Sequence, residues 1–219
     1  MDNGFQTCSS GFSVLTSSNA QRMVTAGHCF QYQDVVDSPN GDSFGHVTSR
    51  AAYLTGKVDA VLVGTNGATM DPSIYRGTST GYKADVNWAE NPTEGVNYCM
   101  SGIARYELCD QYLNSTAPTQ ICATDFYTMQ RVCVNVLIMV GPGACHGDSG
   151  APVFLVRSDG KVGARAILSA IGPSYENQPM TPLGCTEAGI HGGWATGYNY
   201  VVPWNMIKDY FGITIMASG

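Results

Sequence analysis

Hydrophobic residues occur along the chain in short runs of strand length, separated by polar turns. Two such runs, 11–16 and 22–26, flank the polar segment 17–20, which predicts a β-hairpin. Only residues 204–211 have helical spacing of their hydrophobic positions, and we expect one short C-terminal helix there. The other predicted strands are 44–48, 59–63, 96–101, 107–112, 131–140, 151–156, 162–170 and 194–202. Many short strands separated by turns predict an all-β sandwich or barrel.

A turn-rich segment at 91–95, Asn-Pro-Thr-Glu-Gly, is the best candidate for a linker between two halves. A chain of 219 residues is long enough for one large β domain or for two small ones with their own cores. We therefore expect an N-terminal unit at 1–90 and a C-terminal unit at 91–219.

The composition is that of a globular protein with few charges. Hydrophobic residues make up 44% of the chain and charged residues 13%, against about 25% charged in average proteins. The net charge of -6, without a basic cluster, argues against binding to nucleic acid or to an anionic membrane. No apolar run reaches the roughly 18 residues of a membrane span.

The eight cysteines include no Cys-x-x-Cys pair. A disulfide framework formed in an oxidising compartment explains them better than reduced thiols do. A zinc site is a weaker alternative, because the Cys–His pairs at 28–29 and 145–146 are adjacent residues that rarely chelate one ion. We expect a secreted protein with no metal and no cofactor. The N-terminus has no signal-peptide pattern, so we expect a leader or pro-segment to have been cut away.

The segment 141–152, Gly-Pro-Gly-Ala-Cys-His-Gly-Asp-Ser-Gly-Ala-Pro, carries the main candidate chemistry. Gly147 and Gly150 allow a tight turn and a close approach of substrate. In such a turn the N–H groups of Gly147 and Ser149 can point into one concavity, which suits a developing oxyanion. Because serine alone is a poor nucleophile, the segment predicts a histidine that takes its proton and a carboxylate that orients the histidine.

His28 directly follows a predicted strand, and Asp59 begins the apolar strand at 59–63. An acidic residue at that place can be half-buried and accept a hydrogen bond from a histidine. The rival carboxylates lie in polar, turn-like sequence; they are Asp34, Asp37 and Asp42. The sequence therefore predicts a set made of His28, Asp59 and Ser149.

The order histidine, aspartate, serine differs from that of subtilisins and of α/β-hydrolases. The α/β-hydrolase pattern Gly-x-Ser-x-Gly would need glycine where Ala151 stands, and the alternating β/α pattern of that fold is missing. Its histidine would have to be His191, which follows the serine.

Three motifs resemble the signatures of chymotrypsin-fold serine endopeptidases: Ala-Gly-His-Cys at 26–29, Asp-Ala-Val at 59–61 and Gly-Asp-Ser-Gly-Ala-Pro-Val at 147–153. The closest likeness is to the secreted microbial branch typified by α-lytic protease and the streptogrisins. That branch is also resembled by Cys-Ser-Ser-Gly-Phe-Ser-Val at 8–14 and by Cys-Met-Ser-Gly at 99–102. The likeness runs over most of the chain.

The resemblance implies two antiparallel β-barrels with the active site in the cleft between them. His28 and Asp59 would come from the first barrel and Ser149 from the second. The N–H groups of Gly147 and Ser149 would form the oxyanion hole, and Ser169 would hydrogen-bond Asp59. Polypeptide substrates and protein protease inhibitors are the implied partners, and we expect a monomer.

The same resemblance implies the disulfide pairs. It pairs Cys8 with Cys29, Cys99 with Cys109, and Cys145 with Cys185, and it leaves Cys122 and Cys133 for each other. The bridges would tie down the histidine loop, a hairpin and the serine loop, each contributing about 2–4 kcal/mol.

The specificity pocket implied by the resemblance has Gly143 at its floor and Ala170, Ile171 and Gly192 at its sides. No aspartate stands at the floor, so a preference for Lys or Arg is not expected. Ile171 is bulkier than the glycine common at its place, which predicts a neutral, apolar pocket for small or medium side chains. A reach of Glu187 or His191 into the pocket would make it polar or acid-selective.

One position departs from the family pattern. Asp148 is expected to be buried and to need a partner, which in the microbial branch is an arginine at the place of Met100. Arg105 and Arg131 are the candidate partners here. Two other classes remain as alternatives: a catalytically silent binding relative, and an intracellular or viral processing protease of the same fold.

Overall fold

The computed structural model describes residues 1, 7–38, 41–51, 58–77, 81–171 and 197–219. Within these ranges the chain forms fifteen β-strands and one α-helix. The strands are β1 (Ser13–Leu15), β2 (Gln21–Thr25), β3 (Val35–Asp37), β4 (Ser43–Arg50), β5 (Val61–Thr65), β6 (Ser73–Arg76), β7 (Tyr82–Ala89), β8 (Asn97–Gly102), β9 (Tyr106–Leu113), β10 (Thr119–Thr124), β11 (Arg131–Val140), β12 (Pro152–Val156), β13 (Val162–Ile171), β14 (Tyr198–Pro203) and β15 (Thr214–Ile215); the helix is α1 (Trp204–Phe211).

The first sheet has six strands in the order β15-β1-β2-β5-β4-β3. The expected hairpin of β1 and β2 lies at its centre, with Ser13 opposite Met23. The Thr16 N–H closes the connecting turn onto the carbonyl of Ala20 at 3.0 Å. At the edge, β15 pairs Ile215 with Val14 of β1, so the last strand of the chain completes the first sheet.

The second sheet has nine strands and contains a closed barrel. Its ring runs β8-β9-β11-β14-β13-β12 and returns to β8, because β14 pairs with both β11 and β13. β10 extends β11 as the outer strand of a long hairpin. The barrel agrees with the expected all-β, chymotrypsin-like fold, which places most hydrophobic side chains inside a closed sheet.

One pairing crosses the division expected between residues 90 and 91. β7 lies before that point, yet it runs parallel to β13, with Val86 opposite Val162. Along β7, Ala84 and Val86 are buried while Asp85 between them is exposed, as in a strand with one covered face. The division at 90 and 91 stays a prediction.

The core extends through both sheets. Phe12 of the first unit and Phe154 of β12 are fully buried in the same hydrophobic cluster. The inner face of α1 packs against the same cluster through the buried side chains of Trp204 and Ile207. Burying a large apolar side chain contributes roughly 1.5–3 kcal/mol, so the helix is held mainly by this face.

The helix begins after Pro203 and ends at Phe211; the next residue, Gly212, caps it by donating its N–H to the carbonyl of Lys208 at 2.8 Å. These bounds confirm the predicted C-terminal helix. No helix in the described part of the chain has the length and hydropathy needed to cross a bilayer.

Candidate active site

His28 lies in a single 3₁₀ turn, Gly27–Cys29, directly after β2. The disulfide between Cys8 and Cys29 fixes one end of this turn to the N-terminal segment. The imidazole is partly open, with 29% of the side chain exposed. The turn therefore presents the ring to solvent from a backbone that is anchored on the first sheet.

Asp59 is 3% exposed and accepts hydrogen bonds with both carboxylate oxygens. Its Oδ1 accepts the backbone N–H of His28 at 2.8 Å, and its Oδ2 lies 2.8 Å from Nδ1 of the same residue. The Ser169 hydroxyl donates to Oδ2 at 2.6 Å. The sequence placed Asp59 as the first residue of a strand, but β5 begins two residues later, at Val61. This leaves the carboxylate free to face the histidine turn.

Ser149 completes the series from the second unit. Its Oγ lies 3.0 Å from Nε2 of His28, on the side of the ring opposite Asp59. A carboxylate can only accept a hydrogen bond, so Nδ1 carries the ring hydrogen and Nε2 is left as an acceptor for the serine proton. The three predicted groups are thus hydrogen-bonded in one line.

The charges of His28 and Asp59 stabilise each other. Burial alone lowers the pKa of His28, but the charge and the hydrogen bond of Asp59 outweigh it and raise this pKa above its ordinary value of 6.5. Burial likewise raises the pKa of Asp59, and the interactions with His28 and Ser169 bring it below its ordinary 3.8. The carboxylate therefore stays ionised and favours a protonated imidazole.

The loop that carries Ser149 turns at two glycines with positive φ, 100° at Gly147 before the serine and 86° at Gly150 after it. Within the described residues, neither the Gly147 N–H nor the Ser149 N–H has a hydrogen-bond acceptor. Their carbonyls are both held by Ser9, which donates its N–H to Ser149 at 2.8 Å and its hydroxyl to Gly147 at 2.9 Å. The loop is therefore fixed from behind while its two amides stay available.

Asp148 is buried, as expected, but its partners are backbone amides. Its Oδ1 accepts the N–H of Ala104 at 2.8 Å and that of Arg105 at 3.2 Å, and its Oδ2 accepts that of Cys145 at 2.9 Å. Burial raises the pKa of Asp148, while these bonds and the charge of Arg105 lower it in part. Of the two candidate arginines, Arg105 contacts the carboxylate through its backbone, and Arg131 lies exposed at the start of β11.

A cleft of about 350 Å³ opens in front of His28 and Ser149. One wall is the β10–β11 hairpin, which contributes Ile121, Ala123, Phe126, Val132 and Val134; the other includes Leu168, Ala170 and Ile171 of β13. His146 lies at the rim and is exposed. Asp59 is the one acidic side chain among the described lining residues.

The predicted pocket residues have different positions relative to this cleft. Ala170 and Ile171 line it, and Gly143 is buried and is not among its described lining residues. Gly192 falls outside the described residues, as do Glu187 and His191.

The structure contains the disulfides Cys8–Cys29, Cys99–Cys109 and Cys122–Cys133. The expected partner of Cys145 is Cys185, which falls outside the described residues. Cys122 and Cys133 are directly opposite each other on β10 and β11, so their bridge braces that hairpin.

Several residues support the histidine and serine loops without a signal in their local sequence. Ser9 lies within the motif Cys-Ser-Ser-Gly, but its contact with the serine loop is long-range. Arg50 and Tyr127 hydrogen-bond the backbone on either side of His28. Nothing in their local sequence pointed to the histidine.

Comparison with known proteins places this geometry in a family. The family model described as Trypsin matches residues 6–188. A search of curated proteins gave no significant match. Among solved structures, Protease A of Thermobifida fusca is 24% identical with a TM-score of 0.69, and the likeness covers 98% of this chain and 94% of that one. The Nocardiopsis protease NAPase is 20% identical with a TM-score of 0.66, over 96% and 93% of the two chains.

A third likeness, to the Cellulomonas bogoriensis chymotrypsin, has 20% identity and a TM-score of 0.64 over 96% of this chain and 91% of that one. At these identities the structures show a shared fold. The family match spans most of the sequence, and the chain belongs to the trypsin family of chymotrypsin-fold serine endopeptidases.

Proposed function

We propose that this protein is a secreted serine endopeptidase that cleaves peptide bonds through an acyl-enzyme formed on Ser149. The observation that carries the proposal is the unbroken line of hydrogen bonds from Asp59 through His28 to Ser149. This line ends at an open cleft, where a substrate carbonyl can reach the serine hydroxyl. A nucleophile, a base and a group that orients the base are what acyl transfer requires.

In the first half-reaction the Ser149 oxygen attacks the carbonyl carbon of the scissile bond and gives its proton to Nε2 of His28. The carbonyl π-bond becomes a lone pair on an oxyanion, which the N–H groups of Gly147 and Ser149 stabilise. The imidazolium then donates its proton to the departing amine as the C–N bond breaks. The product is an ester of Ser149.

In the second half-reaction a water molecule attacks the ester carbon and gives a proton to His28. The bond between that carbon and Ser149 Oγ then breaks, His28 returns the proton to Oγ, and the carboxylic acid product leaves. Asp59 stays ionised throughout and stabilises the imidazolium, and the hydroxyl of Ser169 keeps one carboxylate oxygen in place. Loss of one oxyanion donor in such a site costs about 10²–10³-fold in kcat. No step requires a cofactor.

The cleft supports a neutral, apolar specificity. Eight apolar side chains from the two walls line it, and its one described acidic residue, Asp59, is already bound to His28 and Ser169. A substrate lysine or arginine would find no available carboxylate among the described residues of the cleft. We propose that Ala170 and Ile171, with Gly143 and Gly192, select small or medium apolar side chains.

Secretion is supported by the cysteines. The described disulfides join six of the eight cysteines of the chain, and such bonds persist in oxidising compartments. We propose that the protein acts outside the cell and as a monomer. One chain supplies all three reactive groups, so the site needs no residue from a second copy.

Labelling with a fluorophosphonate tests the activity directly. The reagent should form a covalent adduct on Ser149 in the wild-type protein, and neither Ser149→Ala nor His28→Ala should react at a comparable rate. The Ser10→Ala variant is a matched control, since Ser10 is an exposed serine away from the cleft. A wild-type protein that does not react would favour the alternative of a silent binding relative.

A peptide library tests the specificity. We expect cleavage after small or medium apolar residues, because the apolar walls of the cleft offer no partner to a charged substrate side chain. Predominant cleavage after arginine or lysine would refute the neutral pocket. Predominant cleavage after glutamate would also refute the neutral pocket and would indicate a polar group there, with His146 of the rim and His191 as the candidates.

A further inference from the structure

The carbonyl groups on both sides of His28 are each held by a side chain. The Arg50 Nε–H donates to the carbonyl of Gly27 at 3.0 Å, and the Tyr127 hydroxyl donates to the carbonyl of Cys29 at 2.9 Å. Arg50 is the last residue of β4 in the first sheet, whereas Tyr127 belongs to the turn between β10 and β11 in the second. The backbone of the histidine turn is thus hydrogen-bonded by one side chain from the first sheet and by one from the β10–β11 turn.

The turn that carries Tyr127 is organised by Asp125, which is 1% exposed. One carboxylate oxygen of Asp125 accepts the N–H of Tyr127 at 3.0 Å, and the other accepts the hydroxyl of Thr128 at 2.7 Å. The backbone of Asp125 also exchanges hydrogen bonds with Gln130 and Met129, each at 2.8 Å. This tip, residues 125–130, is therefore a closed turn with a defined shape.

An ion pair joins the tip to β4. The Arg50 guanidinium lies 3.7 Å from Oδ1 of Asp125, and its central carbon lies 5.5 Å from the centre of the Tyr127 ring. The side chains of Arg50 and Asp125 are 8% and 1% exposed, so little solvent screens their attraction. Arg50 and Tyr127, which hydrogen-bond the histidine turn, are thus also in contact with each other.

The hairpin behind the tip is rigid and borders the substrate cleft. β10 and β11 pair in continuous register from Thr119–Val136 to Thr124–Arg131 and are bridged by Cys122–Cys133. Phe126 of the tip lines the cleft and is 61% exposed. One element therefore contacts both the space for the substrate and the backbone of the proposed general base.

We propose that the tip of the β10–β11 hairpin is a positioning element for His28, and that Tyr127 and Arg50 are positioning residues that keep its imidazole in line with Ser149. The inference deepens the proposed endopeptidase activity and rests on it for its kinetic readout. Neither side chain hydrogen-bonds the imidazole itself. Their hydrogen bonds go to the carbonyls of residues 27 and 29.

The effect belongs to turnover rather than to substrate binding. Proton transfer from Ser149 to His28 depends on the 3.0 Å separation of Oγ and Nε2, and small displacements of a catalytic base reduce the rate steeply. If the Cys29 carbonyl is released, the histidine turn can shift while the cleft walls keep their positions. kcat should therefore fall with little change in KM.

The decisive variant is Tyr127→Phe, which removes one hydroxyl and keeps the ring beside Arg50. We expect kcat on a peptide substrate to fall by about 3–10-fold, a fraction of the roughly 10²–10⁴-fold that a positioned acid–base group supplies. KM should stay within about twofold. An unchanged kcat at a temperature where the variant is folded would overturn the proposal.

Tyr98→Phe is the matched control. The Tyr98 hydroxyl donates to the carbonyl of Thr93 at 3.1 Å and accepts the N–H of Thr93 at 2.8 Å, within the second unit and apart from the histidine turn. Its loss should lower the Tm at least as much as Tyr127→Phe and leave kcat unchanged. Equal losses of kcat in both variants would identify a general loss of stability and sink the positioning role.

A second measurement is independent of activity. The backbone N–H of His28 bonds Asp59 at 2.8 Å, so its hydrogen exchange reports how firmly the turn is held. We expect exchange about tenfold faster in Tyr127→Phe than in wild type and unchanged in Tyr98→Phe. If the wild-type protein proved inactive, this comparison would still decide the positioning role, and unchanged exchange would refute it.

Discussion

At the scale of single residues, His28 and Asp59 determine how the protein should respond to pH. The imidazole must be neutral to take the serine proton, and its pKa is raised above 6.5 because the Asp59 charge outweighs the effect of burial. Activity is therefore lost as the pH falls through this raised value. We expect the acid limb of kcat/KM against pH to have its midpoint above 6.5.

Asp59→Asn gives the test of that assignment. The substitution removes the negative charge and leaves the burial that lowers the histidine pKa, so the acid midpoint should move to lower pH than in wild type. The rate itself should fall by about 10⁴-fold, because the amide no longer fixes the productive tautomer. An acid midpoint that stays in place would mean that another group controls it.

Ser9 should affect the rate through the backbone of the serine loop. Its hydroxyl donates to the Gly147 carbonyl at 2.9 Å and accepts the N–H of Ile103 at 2.8 Å. We expect Ser9→Ala to lower stability by about 1–3 kcal/mol, because buried groups lose their partners. kcat should fall by about tenfold, less than for the loss of an oxyanion donor.

The neighbour Ser10 provides the control for that experiment, measured by thermal unfolding and steady-state kinetics. It is exposed, whereas Ser9 is buried. Ser10→Ala should therefore change neither stability nor kcat. A Ser9→Ala variant that behaves like Ser10→Ala would contradict the support that we assign to Ser9.

The residues most readily predicted from the sequence are those with short motifs around them. His28 and Ser149 stand in distinctive local sequence, and Asp59 begins an apolar run, so all three could be proposed before their contacts were known. Arg50, by contrast, acts on the carbonyl of Gly27, 23 positions away along the chain. Such support depends on the tertiary arrangement, and the sequence near Arg50 carries no sign of it.

At the scale of elements, β8 and the serine loop approach each other closely at Gly102. A Cβ added there would overlap the carboxyl group of Asp148. That carboxylate accepts hydrogen bonds from the N–H groups of Ala104, Arg105 and Cys145. A methyl group at position 102 would therefore displace a buried side chain and disturb these hydrogen bonds. The serine loop can therefore adopt its conformation only because position 102 of β8 is a glycine.

We expect Gly102→Ala to destabilise the protein by about 1–3 kcal/mol, the usual cost of overpacking, and to lower kcat further by moving the residues next to Ser149. Thermal unfolding and kinetics would measure the two effects. Gly197→Ala is the control, because among the described residues its Cβ would meet only the Gly141 carbonyl, at an ordinary 3.8 Å. A fully active and stable Gly102→Ala would show that Asp148 can relocate without consequence.

Elements were predictable where the hydrophobic pattern is strong. β11, β12 and β13 match the strands expected at 131–140, 151–156 and 162–170 to within one residue, and α1 matches its expected bounds. β10 was missed because most of its residues are exposed, so burial leaves no signal in its sequence. β15 has two residues, too few for any period. β7 does alternate, and its alternation was the signal that could have revealed it.

At the scale of the whole molecule, residues from each side of the cleft support the reactive loop on the other side. Ser9 from the N-terminal segment holds the carbonyls of Gly147 and Ser149, and Tyr127 from the second sheet holds that of Cys29. The three disulfides whose partners are both described join positions 10 to 21 residues apart, within a hairpin or beside the histidine turn. None of these three bridges joins the two sheets, so these hydrogen bonds contribute, with the shared hydrophobic cluster, to holding the sheets together.

The C-terminal arm adds a further link between the units. After α1, Ile213 is 1% exposed, and β15 pairs with β1 of the first sheet. The Met216 N–H then donates to the carbonyl of Ser13 at 3.0 Å, and the Ser218 N–H donates to the carbonyl of Val86 at 2.8 Å. The arm thus runs from the second unit back onto the sheet that carries His28.

We expect removal of residues 213–219 to lower the Tm by roughly 5–15 °C. Loss of the buried Ile213 side chain alone costs about 2–5 kcal/mol, and about 2–4 °C are lost per kcal/mol in a chain of this size. kcat should fall as well at temperatures where the shortened chain is folded, because β1 supports the strand that ends before His28. Removal of Gly219 alone is the control and should leave both quantities unchanged. An unaltered Tm after the larger deletion would show that the two units hold together without the arm.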